Sequence, residues 1–261
     1  MSRKFIDRTG EENYNTFESE MIISEYRGAL DIDVYFPEYD WTARSVAYCD
    51  FKKGNVKCPY ERRCFGVGYL GEGKYKVSEK GNHTKCYRTW YNMLQRCYDK
   101  KFHKRELTYE DCESSKEFHN LQNFGDWFDD DYYEIEGEKM CLDKDILVKG
   151  NKIYSPETCI FVPHNINMLF VKCDKARGEY PVGVHYSKRD EKFIAQCNVY
   201  DNEKKIKSTK HLGLYNTPEE AFYTYKQFKE KYIKQVADYY KDKIPQKLYD
   251  AMYNYKVEIN D

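Results

Sequence analysis

Between Leu142 and Leu169 the chain places oxygen and nitrogen ligands at both ends of one short stretch, LDKDILVKGNKIYSPETCIFVPHNINML. Asp143 and Asp145 stand at the edge of an apolar strand, and a polar Gly150-Asn151 turn follows. A second short strand is expected at Cys159–Val162, after which Pro163 opens a helix beginning His164-Asn165-Ile166-Asn167. Carboxylate and amide oxygens suit a hard divalent cation, and an imidazole can take a proton from water. Strand, loop, strand and helix with such groups at both ends is a plan suited to one-metal phosphodiester chemistry. The two aspartates also have a plainer use, as caps of a hairpin that holds no metal.

Those groups act together only if the flanking sequence folds into elements that hold them. The chain has 261 residues, room for one large domain or two to three small ones. Hydrophobic residues make up 41%, and 27 Tyr against 14 Phe predict small cores with half-wet edges, not a disordered chain. Residues 1–80 read as β-rich, with strands expected at Met21–Tyr26, Asp31–Phe36 and Arg44–Phe51. Cys86, Trp90, Met93, Leu94 and Cys97 recur at helical spacing, and Phe118, Leu121, Phe124, Trp127 and Phe128 line a second helix over Lys116–Phe128. Asp129–Asp131 ends it. Beyond a Gly/Pro hinge at Arg177–Pro181 come three strands, Val182–Tyr186, Lys192–Tyr200 and Lys207–Leu214. Thr217-Pro218-Glu219-Glu220 then combines a cap, a first-position proline and a glutamate three residues after the cap. The helix it starts runs to about Tyr240 with an apolar stripe, and a last helix covers Pro245–Tyr255. The expected class is α+β: a small N-terminal β-rich module over 1–80, a central helical region with the hairpin and helix over 81–175, and a three-stranded sheet packed on a long helix over 176–261.

Net charge is −1, yet the charge is segregated. Glu106–Asp145 holds fourteen acids and three lysines, whereas Lys175–Tyr215 holds nine Lys/Arg and five acids. The basic segment can meet phosphate and the acidic one a cation, or both are solvated surface. Lys52, Lys53, Lys57, Arg62 and Arg63 mix with Tyr48, Phe51 and Tyr60, as nucleic-acid surfaces do and as ordinary solvated rims do. No apolar run is long enough for a membrane span and the N-terminus has no secretory h-region, so a soluble, cytoplasmic protein is expected, and with no heptad present a monomer is the simpler expectation. Ten Cys lie outside any CxxC pattern and read as thiols of a reducing compartment. Cys58, Cys64, His83 and Cys86 have a spacing too wide for a zinc knuckle, and no structural zinc is expected. Gly68–Lys74 meets the GxxxxGK pattern, but Tyr75 stands where a phosphate loop needs Ser or Thr, so the stretch reads as a turn. There is no nucleophile elbow and no dinucleotide fingerprint.

Within Tyr180–Tyr225, the residues Tyr180, Gly183-Val184, Phe193, Ala195, Leu212-Gly213, Tyr215 and Thr217-Pro218-Glu219-Glu220-Ala221 resemble the Apetala-type DNA-binding domain of plant ethylene-response factors and phage homing endonucleases. The resemblance implies a three-stranded sheet lying in the major groove with the helix behind it. His185, Lys188, Arg189, Asn198 and Lys210 would then face duplex DNA. The block departs from that family in its fewer arginines and its lack of Trp.

The segments YRTWYNMLQRCY, NLQNFGDWFDDDYY and LDKDILVKGNKIYSPETCIFVPHNIN are similar to phage HNH-type homing endonucleases. Together the two likenesses span roughly Thr84 to Tyr240. The second implies a ββα-metal hairpin and helix holding one Mg²⁺ or Mn²⁺ ion. Asp143 or Asp145 would be the hairpin ligand, Asn167 or Asn165 the helix ligand, and Asn151 a brace for the loop. In that family a His directly follows the first ligand and acts as base; here Lys144 occupies that position, and Thr158 stands where the middle Asn is expected. His164 is the nearest substitute base, with Lys144 and Asp145 as alternatives. Two functions follow from the likeness: an endonuclease acting on double-stranded DNA, or a relative without turnover that binds DNA or blocks a host defence protein.

Overall fold

The computed structural model describes residues 5–171, 179–201, 206–259 and 261. The chain is mixed α+β and forms two compact units, Met1–Asp130 with Lys152–Pro156, and Asp131–Asn151 with Glu157–Asp261. The boundary expected at 80/81 is therefore not a boundary between compact units, because residues 81–130 belong to the first. The boundary expected at 175/176 lies outside the described residues, as do Lys175, Arg177, Gly178, Lys204 and Lys205. No helix of the described residues is long and apolar enough to cross a membrane.

The first unit begins with a four-stranded antiparallel meander: β1 (Glu12–Tyr14), β2 (Glu20–Gly28), β3 (Asp31–Phe36) and β4 (Trp41–Val46). Period-two alternation sends Met21, Ile23, Ile32, Val34 and Phe36 to one face, where all are fully buried. The strand expected over 44–51 is corrected: β4 stops at Val46, Ser45 bends with φ 53, and Tyr48–Lys52 is a short helix whose Phe51 fills the same core. Helix α1 (Lys85–Tyr98) starts where the Thr84 side chain accepts the Tyr87 N–H at 3.1 Å. Its buried stripe is the expected Cys86, Trp90, Met93, Leu94 and Cys97, and full burial of a large apolar side chain is worth about 1.5–3 kcal/mol. The single helix expected from Lys116 is broken instead. A 3₁₀ turn covers Glu117–His119, Asn120 is extended, and its Oδ1 accepts the Gln122 N–H at 2.9 Å to start α2 (Leu121–Asp131). An asparagine offering this local bond competes with continuation of the helix. The glycine-rich stretch winds around Gln122, whose amide donates to Leu70 O and Tyr75 O and accepts from Tyr75 N.

In the second unit β5 (Met140–Asp143) pairs antiparallel with β6 (Ile160–Pro163), and α3 (His164–Phe170) follows β6 directly. A three-stranded antiparallel sheet comes next, with β8 (Lys192–Asp201) between β7 (Val184–Ser187) and β9 (Ile206–Tyr215). Helix α4 (Pro218–Tyr240) backs this sheet and packs against α5 (Gln246–Asn254). Its start is the expected capping box, with Thr217 Oγ1 accepting from Glu220 N and the Glu220 carboxylate from Thr217 N, each at 3.3 Å. Tyr232 fastens the helix to the central strand, donating to Tyr200 O at 3.0 Å and accepting from Tyr200 N at 2.6 Å. One core joins Ile160 and Val162 of β6 and Ile166 of α3 to Ile233, Val236 and Leu248 of α4 and α5. Burial of the β5–β6–α3 piece thus comes from the helices that support the C-terminal sheet.

Candidate functional site

Asp143 is the last residue of β5 and pairs with Ile160. Its Oδ1 accepts two backbone N–H groups, from Asp145 at 2.9 Å and Ile146 at 2.8 Å, which turns the chain sharply out of the strand. Both bonds fall on Oδ1 and leave Oδ2 over. The carboxyl group keeps a window to solvent, but most of its shell is protein. Burial raises its pKa to about 6; the Asp145 charge adds to the rise and the two N–H groups oppose it. A partly desolvated carboxylate with a second carboxylate beside it is a donor set that a hard divalent cation fits, since the cation relieves both penalties.

The neighbours are placed as follows. Lys144 is buried and its Nζ donates to Asp145 Oδ2 at 3.2 Å. Asn151 braces the turn, its Nδ2 donating to Lys144 O at 2.7 Å. Asn165 is drawn toward Glu138, with Nδ2 3.5 Å from Glu138 Oε2, while Tyr240 donates to the other carboxylate oxygen at 3.0 Å. Asn167 lies one helical turn along α3 from His164 and is partly exposed. His164 is not brought to Asp143. Its Nδ1 lies 3.7 Å from Cys141 Sγ, two residues back from Asp143 and about 7 Å along the strand. The reason is strand direction: β6 starts opposite Asp143 and delivers the chain to α3 at the Met140 end of the ladder.

The C-terminal sheet has one covered and one open face. Ala195 and Cys197 are buried on the α4 side, and Cys197 packs with Phe222 and Tyr225. The register then sorts the side chains that were expected to face DNA. Asn198, opposite Thr209, is on the open face, as is His185, opposite Ile194. The His185 Nδ1 is buried without a hydrogen-bond partner. Lys210 pairs with Cys197 and so lies on the helix side, with its ammonium 5.1 Å from the Phe228 ring centre. The alternation that buries Cys197 removes Lys210 from the open face, correcting its expected place. Lys188 and Arg189 are exposed in the β7–β8 turn, where Arg189 also bonds Asp190 at 3.1 Å. The Ser187 hydroxyl, then Arg189, hold the Asp190 carboxyl below its ordinary range. Sequence reasoning missed Gln196 and His211, which face each other on the open side. Counting by twos back from Asn198 would have found Gln196, but pairing it with His211 needs the bulge in β9.

Two other candidate surfaces are accounted for by packing. In the basic and aromatic set near residue 60, Lys52 bonds Glu11 at 3.0 Å, Arg63 bonds Glu61 and Cys58 O, and Phe51 is core. Cys58 lies in the N-terminal core, burial pushes the Cys86 thiol up to about 12, and His83 is exposed. Among the described residues no group of three or more His, Cys, Asp or Glu could hold a metal ion. Comparison of the chain with protein-family models, curated proteins and solved structures finds no match.

Proposed function

We propose that this protein binds double-stranded DNA and hydrolyses its phosphodiester bonds with a single Mg²⁺ or Mn²⁺ ion, as an HNH-type, homing-endonuclease-like enzyme. The observation that carries the reading is the antiparallel β5–β6 pair running straight into α3, with Asp143 turned out of its strand end and one carboxylate oxygen left over. Asp143 and Asp145 would hold the ion from the hairpin and Asn167 from the helix, because Asn165 is engaged with Glu138. Bound there, the ion would stabilise charge on the scissile phosphate and the leaving 3′-oxygen. The chain's own part is positional: two backbone N–H groups fix Asp143, the Lys144 ammonium orients Asp145, and Asn151 pins the turn. The open sheet face and the Lys188–Arg189 turn would hold the duplex.

The test is nicking of supercoiled plasmid in Mg²⁺, Mn²⁺ and EDTA. Metal-dependent product, lost in Asp143→Ala/Asp145→Ala while gel-shift binding persists, is the expected result. Cleavage unchanged in that variant would sink the metal-site assignment. A second reading is supported by Lys144, which holds the base position and donates to Asp145. A site without a hairpin base would leave a catalytically degenerate relative that binds DNA or inhibits a host defence protein. Duplex binding with no product in either metal would select that reading.

A further inference from the structure

We propose that the open face of the β7–β9 sheet reads adenine in the major groove, through the amides of Gln196 and Asn198. The inference deepens the DNA-binding reading above and rests on it. Gln196 faces His211 and Asn198 faces Thr209, and all four are exposed. They form a hydrogen-bonding block of two amides, a hydroxyl and an imidazole in the middle of the face. Lys192 lies at one end of it and Lys207, opposite Tyr200, at the other. No carboxylate is on this side of β8 or β9 among the described residues. A face meant only for solvent has no need to confine its charge to the ends. One lying in a groove does, because base edges are at the centre and phosphates at the margins.

The occupant follows from the donor and acceptor pattern. A β-ribbon fits the major groove, where adenine offers an N7 acceptor beside an N6 amino donor, and an Asn or Gln amide matches both. Thr209 Oγ1 donates to Asn198 Oδ1 at 2.8 Å, which fixes the amide plane and still leaves an oxygen lone pair and both Nδ2 protons available. Gln196 is the next residue on that face, about 6.7 Å along the strand, close to two base-pair steps of roughly 3.4 Å each. Guanine would call for Arg or Lys in the central block, and there is none. Lys192 and Lys207 are placed for phosphate instead.

Full-length protein in EDTA would be used to select sites from a random duplex library and then titrated on the selected duplex. The expected sites share adenines two steps apart, and replacing either with 7-deazaadenine, which lacks the N7 acceptor, weakens binding on the order of tenfold. Gln196→Ala/Asn198→Ala should bind selected and unselected duplexes equally, whereas Lys188→Ala/Arg189→Ala should weaken both alike. The inference is overturned if the amide variant selects the same site, or if 7-deazaadenine changes nothing. Duplex binding without adenine enrichment overturns this inference alone. No duplex binding even at low salt overturns the DNA-binding reading together with it.

Discussion

The turn that Asp143 makes and the metal role proposed for it are separated by one pair of substitutions. Asp143→Asn keeps an amide oxygen to accept the Asp145 and Ile146 N–H groups while removing a partly desolvated charge. It should melt no lower than wild type but lose nicking by at least about a hundredfold. Asp143→Ala loses the turn bonds as well, at a further cost of about 1 kcal/mol. Wild-type cleavage by the Asn variant would remove Asp143 from the metal site. A different residue sets a pH dependence: burial, then the nearby Arg62 charge, lowers the His119 pKa below 6.5. As pH falls through about 6.5 the unfolded chain takes up this proton first, so folded stability falls on the acid side and is retained above it. His119→Gln should flatten that part of a thermal-melt profile between pH 7 and 5. Residue types alone singled out Asp143, Asp145 and Asn167 as candidates, because few side chains suit a hard cation. The pairing of His164 with Cys141 was not legible, since it depends on which end of a ladder the chain leaves from.

Elements were most legible where a local rule decides them. The start of α4 needed only the spacing of Thr217 and Glu220; Thr217→Ala should cost about 1 kcal/mol of stability by thermal or denaturant unfolding. Gly183 is subtler. It has φ 77, and a Cβ there would come within 2.1 Å of the Tyr225 ring, so the Gly183-Val184 pair marks where helix and sheet close up. Gly183→Ala should cost about 1–3 kcal/mol, and restored stability in Gly183→Ala/Tyr225→Leu would show that the ring contact dominates over backbone strain. The helix predicted from Lys116 and the strand predicted through Phe51 failed for one reason. Apolar residues continued past Asn120 and past Val46, where the backbone leaves the element, into a new helix start in one case and the short Tyr48–Lys52 helix in the other.

Across the whole molecule, the charge segregation carries a salt prediction. Lys188→Ala and Arg189→Ala should each lower the slope of log affinity against log salt by at most about 0.9, with Lys188 giving the larger change because Arg189 also bonds Asp190. Lys210→Ala should leave the slope nearly unchanged, given its seat over Phe228. The division into compact units was the least legible feature, since it depends on five residues. Lys152–Pro156 belongs to the first unit, where Ile153–Tyr154 pairs in parallel with Glu113–Ser114 and Tyr154 is 2% exposed. A fragment ending at Asp130 should therefore melt lower and less cooperatively than one ending at Pro156. The chain accordingly passes between the units three times, and a gene crossover anywhere between codons 131 and 156 would part a strand from its partner or a turn from its ladder. Nor can recombination exchange the C-terminal sheet and its helices from beyond α3 alone, because those helices share one core with β6 and α3, while residues 152–156 between the two hairpin strands belong to the N-terminal unit.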